Sequence, residues 1–146
     1  MQVRPKSYTY TTSVVWEEAS KGDLSAEGKP TLKVATPPEF QGHPGIWTPE
    51  DLYVASANVC LMSTFITMAA RKKVAFTAYE CDGTGTLEMV DGRFMFTTIV
   101  LSPKITIAPD ASEADAHEAI ANAEEHCLIT NSMKTKVVVQ TEIVRG

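Results

Sequence analysis

One uninterrupted run constrains this chain more than any other feature. Residues 48–72, TPEDLYVASANVCLMSTFITMAARK, hold a single proline at the second position and no glycine. Thr48 is placed to cap a helix. Pro49 suits the first helical position, where no amide is needed, and Asp51 at the third completes a capping box. The spacing predicts a helix from Pro49 to about Lys72. Its apolar residues, Leu52, Val54, Val59, Leu61, Met62, Phe65, Ile66 and Met68, spread around most of the circumference, the pattern of a helix enclosed on all sides. A start capped for water, and interruptions at Ser56, Asn58, Ser63, Thr64 and Thr67, favour a central helix wrapped by sheet over a membrane span.

The flanking sequence reads mostly as strand. Residues 8–16 alternate and carry Tyr, Thr and Val, residues 17–30 are polar and predict an exposed loop, and residues 31–34 predict a short strand. The stretch ATPPEFQGHPGIW predicts a loop of set shape. Beyond the helix, residues 74–81, 84–90 and 93–101 are strand-like, with Asp91-Gly92 as a hairpin turn. Pro103 predicts a break, followed by a short extended piece at 105–107. A second helix is predicted after Ser112, with Asp115 in its capping box. Ala116, Ala119, Ile120, Ala123 and Cys127 recur at helical spacing, which puts Cys127 on the inner face near the end. Residues 136–144 alternate as a closing strand. This order predicts an α+β fold, in one domain spanning residues 1–146.

Charge and composition narrow the chemistry. The net charge is -5, and the densest basic run, Arg71, Lys72 and Lys73, sits at a helix end where it complements the dipole. Nucleic acid is therefore not the expected partner. His43, His117 and His126 are scattered without zinc-ligand spacing, so no metal is expected. No phosphate loop, nucleophile elbow or dinucleotide fingerprint is present, so no cofactor is expected; Gly83 and Gly85 read as turn residues. Three cysteines, odd in number and far apart, do not make a secreted disulfide framework. Together with an N-terminus lacking a leader pattern, they predict a cytoplasmic setting in which cysteines react rather than staple.

Cys60, mid-helix, has Ser56, Ala57, Ser63 and Thr64 within one turn. This stripe of small side chains would let another helix approach, and Cys127 on the second helix is the natural partner if the backbones come within about 7 Å. Each cysteine taken singly also reads as a small buried hydrophobe, and Cys81 is left with that reading.

The stretch TPEDLYVASANVCLMSTF, with a cysteine ten residues after Glu50, and the stretch AEEHCLITNSMKTKVVV together resemble the osmotically inducible protein C / organic hydroperoxide resistance (OsmC/Ohr) family over roughly residues 35–144. The resemblance implies an intertwined homodimer, with antiparallel sheets wrapping the long helix and active sites at the interface. It implies a peroxidase that reduces organic hydroperoxides in oxidative stress defence. Cys60 matches the peroxidatic thiol, Cys127 the resolving thiol, and Glu50 the glutamate that holds an arginine beside the thiolate. A dithiol of the lipoamide type is the implied reductant. One element departs from the pattern: the stretch WEEASKGDLSAEG has no arginine. Lys21 is its nearest cation and becomes the candidate to stand beside the thiolate. Arg4 would need the N-terminus to fold back, and Arg71 lies about 16 Å along the helix from Cys60.

Two rivals stand beside this expectation. Cys60 could be an acyl nucleophile, which needs a base within hydrogen-bond reach. Alternatively the chain could be a dimeric stress or binding protein with little or no peroxidase activity, a reading the missing arginine supports.

Overall fold

The computed structural model describes residues 6–146, so Arg4 lies outside the described residues. The chain divides into two compact units, the first running to Leu52 and the second from Tyr53 to Gly146.

The first unit is a three-stranded antiparallel sheet of β1 (Ser13–Glu18), β2 (Lys21–Ser25) and β3 (Leu32–Ala35), in that order. The loop expected at 17–30 thus contains a strand. KGDLS is short and polar, with no alternation strong enough to betray it, and it is held by ladders to both neighbours. β1 starts later than its Tyr-rich sequence predicts and is exposed along its whole length. The Pro-Gly segment that follows is tied back to the sheet: the Ala35 amide donates to the Trp47 carbonyl at 2.9 Å, and the His43 amide to that of Thr36 at 2.9 Å.

Helix α1 (Pro49–Lys72) has the predicted ends. Its capping box is complete, with Asp51 N donating to Thr48 Oγ1 at 3.0 Å and Thr48 N to Asp51 Oδ2 at 3.1 Å.

In the second unit, α1 buries Ala57, Leu61, Phe65 and Ala69. This stripe at spacing four packs with Ile99, Leu101, Ile105 and Ile107 of the sheet and with Ala116, Ala119, Ile120 and Ala123 of α2 (Glu113–His126). The sheet is built on two 15-residue strands, β4 (Phe76–Val90) and β5 (Arg93–Ile107), joined by the Asp91-Gly92 turn. Both turn residues adopt positive φ, 50° and 80°, as a tight hairpin demands. β6 (Lys136–Val139) and β7 (Glu142–Arg145) pair with β5 in parallel, so this sheet is mixed rather than purely antiparallel.

Two sequence expectations fail here for local reasons. Pro103 does not break β5. β6 pairs with it as far as Leu101 and β7 only from Lys104, so Pro103 sits at the gap between them, where that edge asks for no donor. Gly83 and Gly85 are not in a turn but in mid-strand under α1. A Cβ on Gly85 would lie 2.5 Å from a Val54 methyl and 2.9 Å from the Phe96 ring, so glycine is what lets helix and sheet approach. The closing strand predicted for 136–144 is interrupted at Gln140, whose amide reaches the Leu101 carbonyl at 2.8 Å.

Candidate active site

α2 begins with the Ser112 side chain accepting from the Asp115 amide at 3.1 Å, and it ends with Cys127 as its C-cap. Cys127 is fully buried. Cys60, four residues before Thr64 on α1, is partly open. The fold sets these two thiols side by side, within hydrogen-bonding reach and unbonded. They are the pair singled out by the small-residue stripe on α1.

Their environments divide them. Burial pushes the Cys60 thiol up. The Ile129 amide, the Cys127 thiol, the Thr64 hydroxyl and the Leu128 amide all face its sulfur and more than reverse that effect, leaving Cys60 below its ordinary value. Thr64 stands 3.9 Å from the sulfur. The Thr64 hydroxyl also donates to the Cys60 carbonyl at 2.8 Å, and in its contact with the sulfur either group can be the donor. Cys127 moves the other way. Burial raises it, contacts from Thr130 only partly offset this, and a charged Cys60 beside it raises it further. Of the two, Cys60 is the thiol that loses its proton more readily and Cys127 the one that holds it.

Glu50 and Lys21 belong to the first unit, whereas the thiols belong to the second. One Glu50 carboxylate oxygen is buried with no hydrogen-bond partner among the described residues, and Lys21 sits 4.0 Å from Glu18. Arg71 is exposed in the last turn of α1. The groups that ease the ionisation of Cys60 within the second unit are two backbone amides, a neighbouring thiol and the Thr64 hydroxyl, with no cation among them in the described residues. Sequence reasoning missed Leu128 and Ile129 because it searched for side-chain charge. The usable signal was Thr130, Asn131 and Ser132 directly after the cysteine, residue types that bond to nearby backbone and shape a turn.

Cys81 lies on the inward face of β4, and burial pushes its thiol up. Tyr79, raised chiefly by burial, neighbours it and stacks on Phe65 at 5.5 Å between ring centroids. No group of three His, Cys, Asp or Glu side chains that could hold a metal occurs among the described residues.

The comparisons with known proteins agree with this architecture. Residues 42–142 match the family of OsmC-like proteins. The uncharacterized protein YmaD of Bacillus subtilis (strain 168) is 26% identical over 119 residues, covering 79% of each chain. Among solved structures, an OsmC-like protein of unknown function from Vibrio cholerae superimposes with a TM-score of 0.85 at 20% identity, covering 92% of this chain and 99% of its own. An organic hydroperoxide resistance protein OsmC from Legionella pneumophila superimposes with a TM-score of 0.71 at 20% identity, covering 96% of this chain and 99% of its own.

Proposed function

Because this chain belongs to the OsmC-like protein family, we propose that it is a thiol peroxidase that reduces organic hydroperoxides to alcohols with Cys60 and Cys127. The observation that carries the reading is the unequal pair: a partly exposed thiol whose neighbours ease its ionisation stands beside a buried thiol whose surroundings oppose it. A peroxidatic and a resolving thiol need this division of labour, because the thiolate is the nucleophile.

The Cys60 thiolate attacks the terminal peroxide oxygen. A sulfur–oxygen bond forms as the oxygen–oxygen bond breaks, and the alkoxide leaves, takes a proton and departs as alcohol. Cys60 is now a sulfenic acid. The Cys127 sulfur attacks it, the Cys127 proton and the sulfenic hydroxyl leave as water, and a disulfide remains. An external dithiol of the lipoamide type then exchanges twice, restoring both thiols and becoming a cyclic disulfide itself. Within the first unit, one Glu50 carboxylate oxygen, buried and without a hydrogen-bond partner among the described residues, offers a seat for a cation, and Lys21 is the candidate to fill it.

The test is stoichiometric. One equivalent of an alkyl hydroperoxide should yield one equivalent of alcohol and an intrachain Cys60–Cys127 disulfide, located by peptide mass spectrometry. Oxidation scattered over all three cysteines at that dose would refute the assignment.

The working unit is a homodimer. In the second unit, α1 leaves Val59 59%, Met62 37% and Ile66 45% exposed, one stripe at helical spacing. In the first, β1 leaves Val14, Val15 and Trp16 between 65% and 73% exposed. Apolar surface of this extent is covered in a working assembly. Sedimentation equilibrium should give twice the chain mass, and the double variant Val59→Lys, Ile66→Lys should move the protein toward monomer. A parent that sediments at the mass of one chain would rule the dimer out.

A further inference from the structure

The segment after Cys127 is a 3-10 turn, Thr130–Ser132, that spends its donors on the carbonyls just behind it. Thr130 Oγ1 donates to the Cys127 carbonyl at 3.3 Å, and the Asn131 amide donates to the same oxygen at 3.0 Å. Asn131 Nδ2 donates to the Glu125 carbonyl at 3.0 Å. Ser132 Oγ donates to the Leu128 carbonyl at 2.8 Å, the shortest of the set.

A trans peptide is a rigid plane whose carbonyl and amide point opposite ways. The Leu128 carbonyl shares its plane with the Ile129 amide, and the Cys127 carbonyl shares its plane with the Leu128 amide. Holding those two oxygens from one side therefore aims the two N–H groups toward the other, where the Cys60 sulfur sits. Two successive amides converging on one atom make an anion-binding concavity, here filled by a sulfur of the same chain.

We propose that Ser132 is a positioning residue for the reactive thiol: its hydroxyl, by gripping the Leu128 carbonyl, keeps the Ile129 amide directed at Cys60. Ser132 is exposed and never touches the sulfur, so its effect passes entirely through the peptide plane. The titratable group that meets Cys60 is Cys127, from the end of α2. On the sheet side Tyr79 and Cys81 neighbour each other, and the His126 ring has its Nδ1 on the Asn122 carbonyl at 2.9 Å.

The inference rests on Cys60 being the reactive thiol, not on peroxide being its substrate, and the experiment keeps the two apart. The rate of Cys60 alkylation by iodoacetamide is followed against pH by mass spectrometry of its peptide, in full-length protein carrying Cys81→Ser. Ser132→Val should shift the profile toward higher pH and slow alkylation at neutral pH about three- to tenfold, the scale of weakening one hydrogen bond to a charged group. Ser132→Thr has the same shape but keeps the hydroxyl, and it should restore the parent profile. Thermal midpoints of both variants are recorded alongside. A loss of stability common to Val and Thr reports on packing, whereas a profile that differs between them reports on the hydroxyl. If Val and Thr give the same profile, Ser132 has no positioning role, whatever the protein does to peroxides.

Discussion

Cys60→Ser is expected to reduce alkyl hydroperoxide turnover with a dithiol to the uncatalysed background, a loss of at least about 10³-fold, the scale seen when a catalytic nucleophile is removed. A serine hydroxyl cannot stand in, because nothing near Cys60 would ionise it: the neighbouring amides and thiol ease the ionisation of a thiol, and a hydroxyl lies far above the thiol range. Cys127→Ser should behave differently. The first peroxide is still reduced, because Cys60 keeps its amide donors and a serine hydroxyl still donates to it. The cycle then stops with Cys60 as a sulfenic acid, trappable by dimedone, after one equivalent of alcohol. Equal turnover by Cys60→Ser and the parent would leave the chain as a dimeric binding or stress protein on the same fold. An acyl-transfer role for Cys60 has less in its favour, since the described groups facing its sulfur within the second unit are amides, a hydroxyl and a thiol, none of them a general base such as histidine or carboxylate.

What the sequence revealed and what it hid follow from the range of the forces involved. α1 was legible to the residue because its start is written locally, in Thr48, Pro49 and Asp51, and its length is set by the absence of any breaker. α2 and the Asp91-Gly92 hairpin were legible for the same reason, but the two helices by themselves left the pairing of Cys60 with Cys127 open. The errors lie where a partner strand decides. β2 is strand only because β1 and β3 flank it, Pro103 survives inside β5 only because β6 and β7 leave a gap there, and Gly85 is small because Val54 presses on it from the helix. The surroundings of Cys60 were half legible. The sulfurs are side chains that can be counted, whereas the main donors are the backbone of Leu128 and Ile129, which any residues would carry. A search for the missing arginine could not find them, because an amide aimed by a turn leaves its trace in Thr130, Asn131 and Ser132 and not in the residues that donate.

Phe65→Ala is the substitution expected to cost the fold most. Phe65 is fully buried at the centre of α1, one turn beyond Leu61, with its ring 5.2 Å from that of Phe76 and 5.5 Å from that of Tyr79. Truncation removes the ring, leaves a cavity that two β4 aromatics cannot close without moving the strand, and loses both aromatic contacts. Such changes destabilise by about 3–5 kcal/mol, which for a chain of this size lowers the thermal midpoint by on the order of 10 °C. The same change should reach the chemistry. Cys60 rides on α1 and its amide donors on the turn that follows α2, and the core packed around Phe65 holds those two helices against one sheet. Urea titration of Phe65→Ala, read together with the rate of Cys60 alkylation at 25 °C, measures both effects on one sample. A loss under about 1 kcal/mol would mean that the core rearranges around the missing ring, and that α1 is held in place by something other than this aromatic cluster.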